Sequence, residues 1–283
     1  MAKLTLLRKE IEATIPHRGG QPYPSSPRGD SIQCKAVLKG RGFKPIVLKN
    51  SLLIAGTDTD AGKTVLTSAL AAYWQMYFPD RSLGIMKLLQ TGTGDRELYT
   101  RLFALDQSPQ ELNPLHFGAP LAPPIAAERE GRHIESEKVW TALQSLCKRK
   151  DFVLVEALGG LGSPVTRELT VADIARDWRL KGVMVVPVRL GAIGQAVANV
   201  ALARHTGFGL RGIVLNCVKA NSEQEIAELA PVDLIQSLTQ IPVLGILPHL
   251  DDPTDLAKLA KVASQLDLER LLPGVNLVPQ TSK

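Results

Sequence analysis

Apolar residues in this chain follow two spacings. Runs such as Phe152-Val-Leu-Val155 and Gly182-Val-Met-Val-Val-Pro-Val188 are apolar at consecutive positions. Both faces of such a segment need cover, as in a buried parallel strand. Between the runs, apolar positions recur at helical spacing. The pattern predicts strands near 51–56, 83–87, 152–156, 183–188, 211–217 and 242–247, and helices near 63–77, 95–104, 134–149, 170–179, 193–206, 222–239 and 254–268. Alternating β and α elements with no repeat predict an α/β fold: a single doubly wound, mostly parallel sheet with helices on both faces. A ligand then binds beyond the carboxyl ends of the strands.

Residues 1–46 depart from this pattern. Leu4 to Ile15 could form a short helix, but Gly19-Gly20-Gln-Pro-Tyr-Pro-Ser-Ser-Pro27 is turn-rich and favours a disordered extension. A basic arm and an upstream, mis-called start are the other readings. A transit peptide is disfavoured by Glu10, Glu12 and Asp30. The folded body is expected over 47–273, with a tail at 274–283.

Composition adds two constraints. The net charge of +5 is misleading, because residues 1–50 carry 10 Lys/Arg against 3 Asp/Glu while the remainder carries 23 against 25. The basic excess sits in the leading segment, so no nucleic-acid partner is expected for the body. No apolar stretch is long enough to span a bilayer, and no membrane partner is expected. Cys34, Cys147 and Cys217 lack metal-ligand spacing, which fits a reduced, cytoplasmic protein.

The chemistry concentrates in Gly56-Thr57-Asp58-Thr59-Asp60-Ala61-Gly62-Lys63-Thr64, between the first strand and the helix from Val65 to Met76. A strand, a loop ending in Gly-Lys-Thr and a helix form a phosphate-binding loop. Amides at the helix start and the helix dipole face the anion, Lys63 reaches the terminal phosphates and the Thr64 hydroxyl can hold Mg²⁺. Five residues separate Gly56 from Gly62, one more than the common spacing.

Other polar residues fall at strand ends. Lys87 leads into Leu-Leu-Gln-Thr-Gly-Thr-Gly94, a loop of small donors suited to an anion; the alternative is a solvated terminus. Glu156 has the placement of an acidic Mg²⁺ ligand, or caps a helix. Asp95, taken alone, reads as a helix N-cap. Asn216 can address an adenine edge or close a turn. Pro248-His249-Leu250 follows the last strand. Tyr73, Trp74 and Tyr77 on the first helix are expected to pack.

Together these segments resemble the dethiobiotin synthetases, the penultimate enzymes of biotin synthesis, on a P-loop NTPase-like fold. The likeness runs from about residue 51 to 250. The lengthened loop is similar to that family's Gly-Thr-Asp-Thr-x-x-Gly-Lys-Thr. Lys87 with Gln90-Thr91-Gly92 is similar to its Lys-Pro-Val-x-Ser/Thr-Gly, and Val155-Glu156-Ala157-Leu158-Gly159-Gly160 to its Val-Glu-Gly-Ala-Gly-Gly. Phe117 to Ala127, Glu130-Gly131, Gly212 to Asn216 and Gly245 to Leu250 fall in family order.

The resemblance implies an ATP- and Mg²⁺-dependent cyclo-ligase, forming C–N bonds, that joins CO₂ to 7,8-diaminononanoate, and a homodimer. It makes Lys87 and Lys63 the catalytic lysines and gives Thr91 a substrate contact. Thr64, Asp95 and Glu156 would hold the metal. The nucleotide would lie against Asp60, Ala61, Gly62, Lys63, Thr64 and Val65. Asp95, Glu156, Ala157, Leu158 and Gly159 would continue that wall, and Asn216, Cys217, Pro248, His249 and Leu250 would hold the base. Leu88 stands where the family has proline, Leu158 interrupts the glycine run, and Arg189 to Gln195 lacks the family's Asn and His. Two alternatives share the fold. A cobyrinate-type amidoligase needs a glutamine-hydrolysing cysteine in an elbow setting that none of these has. A partitioning or septum-placement ATPase carries an extra lysine early in the loop, where Thr57 and Asp58 stand.

Overall fold

The computed structural model describes residues 48–274. The expected extension over 1–46, its short helix, and all of the tail but Gly274 lie outside the described residues.

Six strands form one parallel sheet in the order β2-β5-β1-β6-β7-β8: β1 Ser51–Gly56, β2 Leu83–Lys87, β5 Phe152–Gly160, β6 Lys181–Pro187, β7 Gly209–Asn216 and β8 Val243–Leu247. Strands β3 Gln90–Thr91 and β4 His116–Phe117 pair in a small parallel ladder. From central β1 the chain crosses to β2 at one edge, returns through β5 and then builds outward from β6. Connections leave β1 toward both sides, so a crevice opens beyond its carboxyl end.

Alternate residues of each strand feed opposite layers. Leu53, Ala55, Met184 and Val186 face one apolar cluster, with α5 (Ser136–Arg149), α6 (Val171–Asp177) and α7 (Ala192–Thr206). Leu52, Ile54, Val183 and Val185 face the other, with α1 (Lys63–Tyr77), α10 (Leu256–Ala263) and α11 (Leu268–Leu271). Trp74 and Tyr73 pack in this second layer, whereas Tyr77 is exposed, its ring centroid 4.6 Å from that of Tyr73.

Several boundaries differ from those the pattern predicts. The helix expected over 222–239 is two, α8 (Glu223–Leu229) and α9 (Val232–Thr239), because Pro231 between them has no amide to donate. The helix expected over 254–268 ends at Ala263, and Asp267 caps a new turn by accepting from the Arg270 amide. Helix α2 (Asp95–Leu102) closes two residues early. Two short helices, α3 (Pro109–Leu112) and α4 (Pro123–Arg129), had no periodic signal to announce them.

The largest correction concerns β5, which continues past Glu156 to Gly160. Ile54 pairs with Glu156 and Gly56 pairs with Gly160, so β5 spends four residues where β1 spends two. The surplus is a bulge, with Gly159 at φ 49°.

Close approach fixes Gly182 in β6. A Cβ there would lie 2.6 Å from the Leu53 carbonyl oxygen and 2.7 Å from the Phe208 ring. Gly182→Ala therefore must strain the β1–β6 pairing, and equilibrium urea unfolding should report a loss of about 1–3 kcal/mol.

Candidate active site

The loop after β1 is held through its main-chain amides and carbonyls. The Thr57 amide donates to the Val185 carbonyl at 3.1 Å, and Lys63 Nζ to the Asp58 carbonyl at 2.8 Å. Asp60 takes φ 57° and Gly62, the N-cap of α1, φ 101°. Asn216 Nδ2 donates to the Ala61 carbonyl at 3.1 Å. A Cβ on Gly62 would stand 2.0 Å from that nitrogen, so glycine is required there for space as well as for φ. Gly160 also leaves no room for a side chain, its missing Cβ 2.5 Å from the Thr57 carbonyl oxygen. The bulge of β5 thus supports the loop from below.

Lys87 and Glu156 are register partners at the ends of β2 and within β5. Lys87 Nζ lies 2.6 Å from Glu156 Oε1, 2.6 Å from Asp95 Oδ2 and 3.3 Å from the Ala157 carbonyl. Thr64 Oγ1 sits 3.0 Å from Asp95 Oδ1 and 3.1 Å from Glu156 Oε1. Tyr99 donates its hydroxyl to Glu156 Oε2. Asp95 is the first residue of α2, not its cap; Gly94 is the N-cap, and the Glu97 carboxylate accepts from the Gly94 amide at 2.9 Å. That bond, ahead of its side-chain partners, holds the Glu97 carboxyl down to about 2.

Electrostatics separates the two lysines. Burial depresses both ammonium groups. At Lys87 the charges of Glu156 and Asp95 and their hydrogen bonds outweigh it, and the pKa lies above that of an ordinary lysine. Asp95 moves down: burial opposes ionisation, but Lys87 dominates. At Lys63 burial, reinforced by the charge of Lys87, wins over Glu156, Asp95 and Asp60, and the pKa falls to about 8. Burial, then the charge of Glu156, holds the Tyr99 phenol well above its usual range, so it remains a donor.

These groups open into a cavity of about 930 Å³. Asp60, Gly62, Lys63, Thr64, Val65, Lys87, Thr91, Asp95 and Glu156 line one part of it, with Leu158 and Gly159 beside them; Asn216, Cys217, Pro248, His249 and Leu250 line another. Ala61 and Ala157 are buried behind this wall and act through their carbonyls. No three His, Cys, Asp or Glu side chains cluster as metal ligands among the described residues. Mg²⁺ does not need such a cluster: one or two carboxylates, a hydroxyl and phosphate oxygens form its usual shell, and the Thr64 hydroxyl and the Asp95 and Glu156 carboxylates are donors of that kind that would fit it.

Sequence reasoning gave no role to Tyr99 or Gln90. Tyr99 follows Asp95 by four residues, which puts both on one helix face. Buried Gln90 accepts from the Arg96 amide at 2.9 Å and donates to Glu97 Oε2 at 3.2 Å, fixing the turn that delivers Asp95. The altered loop after β6 meets the phosphate loop: Arg189 lies 3.3 Å from Asp58 Oδ2, and Thr57 Oγ1 3.5 Å from Gln195 Oε1.

An AAA domain family model matches residues 50–256. Among solved structures, a ParA family ATPase from Chlorobium tepidum superposes with a TM-score of 0.51 at 14% identity, covering 79% of this chain and 98% of that one. At that identity the likeness concerns the fold alone. The ATP-dependent dethiobiotin synthetase BioD of Gloeothece citriformis is 59% identical over 79% of this chain and 99% of its own length. The corresponding protein of Crocosphaera subtropica is 56% identical over 78% and 99%. With most aligned positions identical along the entire length of proteins so named, the chain belongs to the dethiobiotin synthetase family.

Proposed function

We propose that this chain closes the five-membered ureido ring of dethiobiotin from 7,8-diaminononanoate, CO₂ and ATP. The meeting of Lys87 with Asp95, Glu156 and Thr64 at the mouth of a phosphate loop is the observation that carries the reading. One amine of the substrate attacks CO₂ and loses a proton, giving a carbamate anion. The carbamate oxygen takes the γ-phosphoryl group, with ADP leaving. The second amine attacks the carbonyl carbon of this mixed anhydride, and phosphate departs as the ring closes.

Each side chain has a part that its chemistry supports. Lys63 and the loop amides neutralise the terminal phosphates. Lys87 faces the carbamate while it approaches the γ-phosphate, supplying fixed positive charge where negative charge gathers. Thr91 lines the same cavity, and in this reading it contacts the diamine. Asn216, Cys217 and the turn of Pro248, His249 and Leu250 accommodate the base. Thr64, Asp95 and Glu156 would hold Mg²⁺, which would supply positive charge to the phosphate oxygens. A homodimer belongs to the reading; Leu190, 90% exposed on the loop after β6, is an apolar residue that a second copy would cover. The catalytic body is taken as 47–273, with 1–46 a basic extension and 274–283 a tail. The family match over residues 50–256 falls within that body.

Purified protein supplied with ATP, Mg²⁺, bicarbonate and diaminononanoate should yield dethiobiotin by mass spectrometry with matching ADP. Diamine-independent ATP hydrolysis without the ureido product would turn the reading toward a nucleotide switch. Lys87→Gln keeps a polar partner for the buried carboxylates and should lower kcat by about 10²-fold or more, with ATP binding retained in calorimetry. Lys63 predicts a pH dependence. Its ammonium is present in the free enzyme below about 8 and lost above. The dissociation constant for ATP should rise above that pH, by up to about tenfold per pH unit. Lys63→Arg stays charged and should flatten the profile; an unchanged slope would remove Lys63 from it.

A further inference from the structure

We infer that Tyr99 is a positioning residue that orients Glu156 for metal binding, through a hydrogen bond from its hydroxyl to Glu156 Oε2. The inference rests on the proposed function, in which Glu156 is one of the groups that hold Mg²⁺.

The terminal torsion of a glutamate is soft and nearly two-fold, so a carboxylate held at one oxygen can swing about that contact. Glu156 is fully buried and carries two sets of partners. Oε1 faces Lys87 and Thr64, the groups that border the cavity. Oε2 points the other way, to Tyr99, which is fully buried and does not line the cavity. Tyr99 therefore meets no substrate and acts through Glu156. Helix α2 delivers Asp95 to the cluster directly and, one turn later on the same face, fixes the orientation of the other carboxylate. The Tyr99 ring is seated independently against Phe103, with centroids 6.5 Å apart, so the phenol oxygen can be removed with the packing left in place.

Tyr99→Phe isolates that oxygen. Full-length protein is titrated with Mn²⁺ in the presence of a non-hydrolysable ATP analogue, with bound metal read by electron paramagnetic resonance. The dissociation constant for Mn²⁺ should rise by about tenfold or more, as for other groups that orient a metal ligand, while binding of the analogue in EDTA stays at the parent value. A purely structural Tyr99 would lower the thermal midpoint and leave the Mn²⁺ affinity alone. That result, alongside a Glu156→Gln protein with weakened Mn²⁺ binding, would overturn the inference and spare the metal assignment. Mn²⁺ affinity unmoved by Glu156→Gln would overturn both. The double variant Tyr99→Phe/Glu156→Gln leaves no charged oxygen without its donor, so it keeps the question open to measurement even if Tyr99→Phe alone does not fold. It should bind Mn²⁺ as Glu156→Gln does; a further tenfold loss would mean that Tyr99 acts by another route.

Discussion

The site depends on keeping the Lys87 ammonium and the Glu156 carboxylate out of water, with the Asp95 carboxylate at their margin and 32% exposed. Removing Lys87 and Glu156 from solvent is costly, and a buried pair is tolerated only when geometry and further hydrogen bonds satisfy it. Here register supplies the geometry, since the two residues face each other across β2 and β5. Asp95, Thr64, Tyr99 and the Ala157 carbonyl complete the coordination. The segments that bring these partners, α1, α2 and the bulge of β5, are therefore bound to one electrostatic centre. The same centre explains why two lysines in one cavity differ. Lys87 sits among the carboxylates and holds its proton firmly, whereas Lys63 feels the positive charge of Lys87 as well as burial and holds its proton weakly.

The phosphate loop is held instead through its main-chain groups, by one backbone partner and two side chains. Gly62 and Gly160 let Asn216 and the β5 bulge approach the loop from two sides, and neither site has room for a single added carbon. The loop is held at Thr57, Asp58 and Ala61 through main-chain oxygens and amides. Its amides at the start of α1 can then face an anion without side chains in the way.

The strand-helix alternation was legible in the sequence because fully covered strands are apolar at every position and few other segments are. The rule that ligands bind at strand ends singled out Lys87 and Asn216, and the loop spacing singled out Lys63 and Thr64. Asp95 was legible as the start of a helix but not as a partner of Lys87, since that pairing joins residues on different elements. Glu156 was read as the end of its strand because the glycines after it look like a turn; they form a bulge that pairs again with β1. Tyr99 left little trace, since a tyrosine on a helix face reads as core whether or not its hydroxyl has a task. Pro231 carried the break between α8 and α9, but the amphipathic pattern on either side masked it.

That bulge also bears on how the chain can vary. Side chains on a strand alternate faces, so a one-residue insertion between Phe152 and Glu156 would turn the carboxylate away from Lys87 toward the opposite layer. The same insertion would draw Gly160 out from under Thr57. Strand β5 thus behaves as a fixed-length gauge between the carboxylate that meets Lys87 and the phosphate loop. Its length is fixed, as are glycine at 160 and the carboxylate at 156, and growth or shrinkage of the chain is left to the connections between elements.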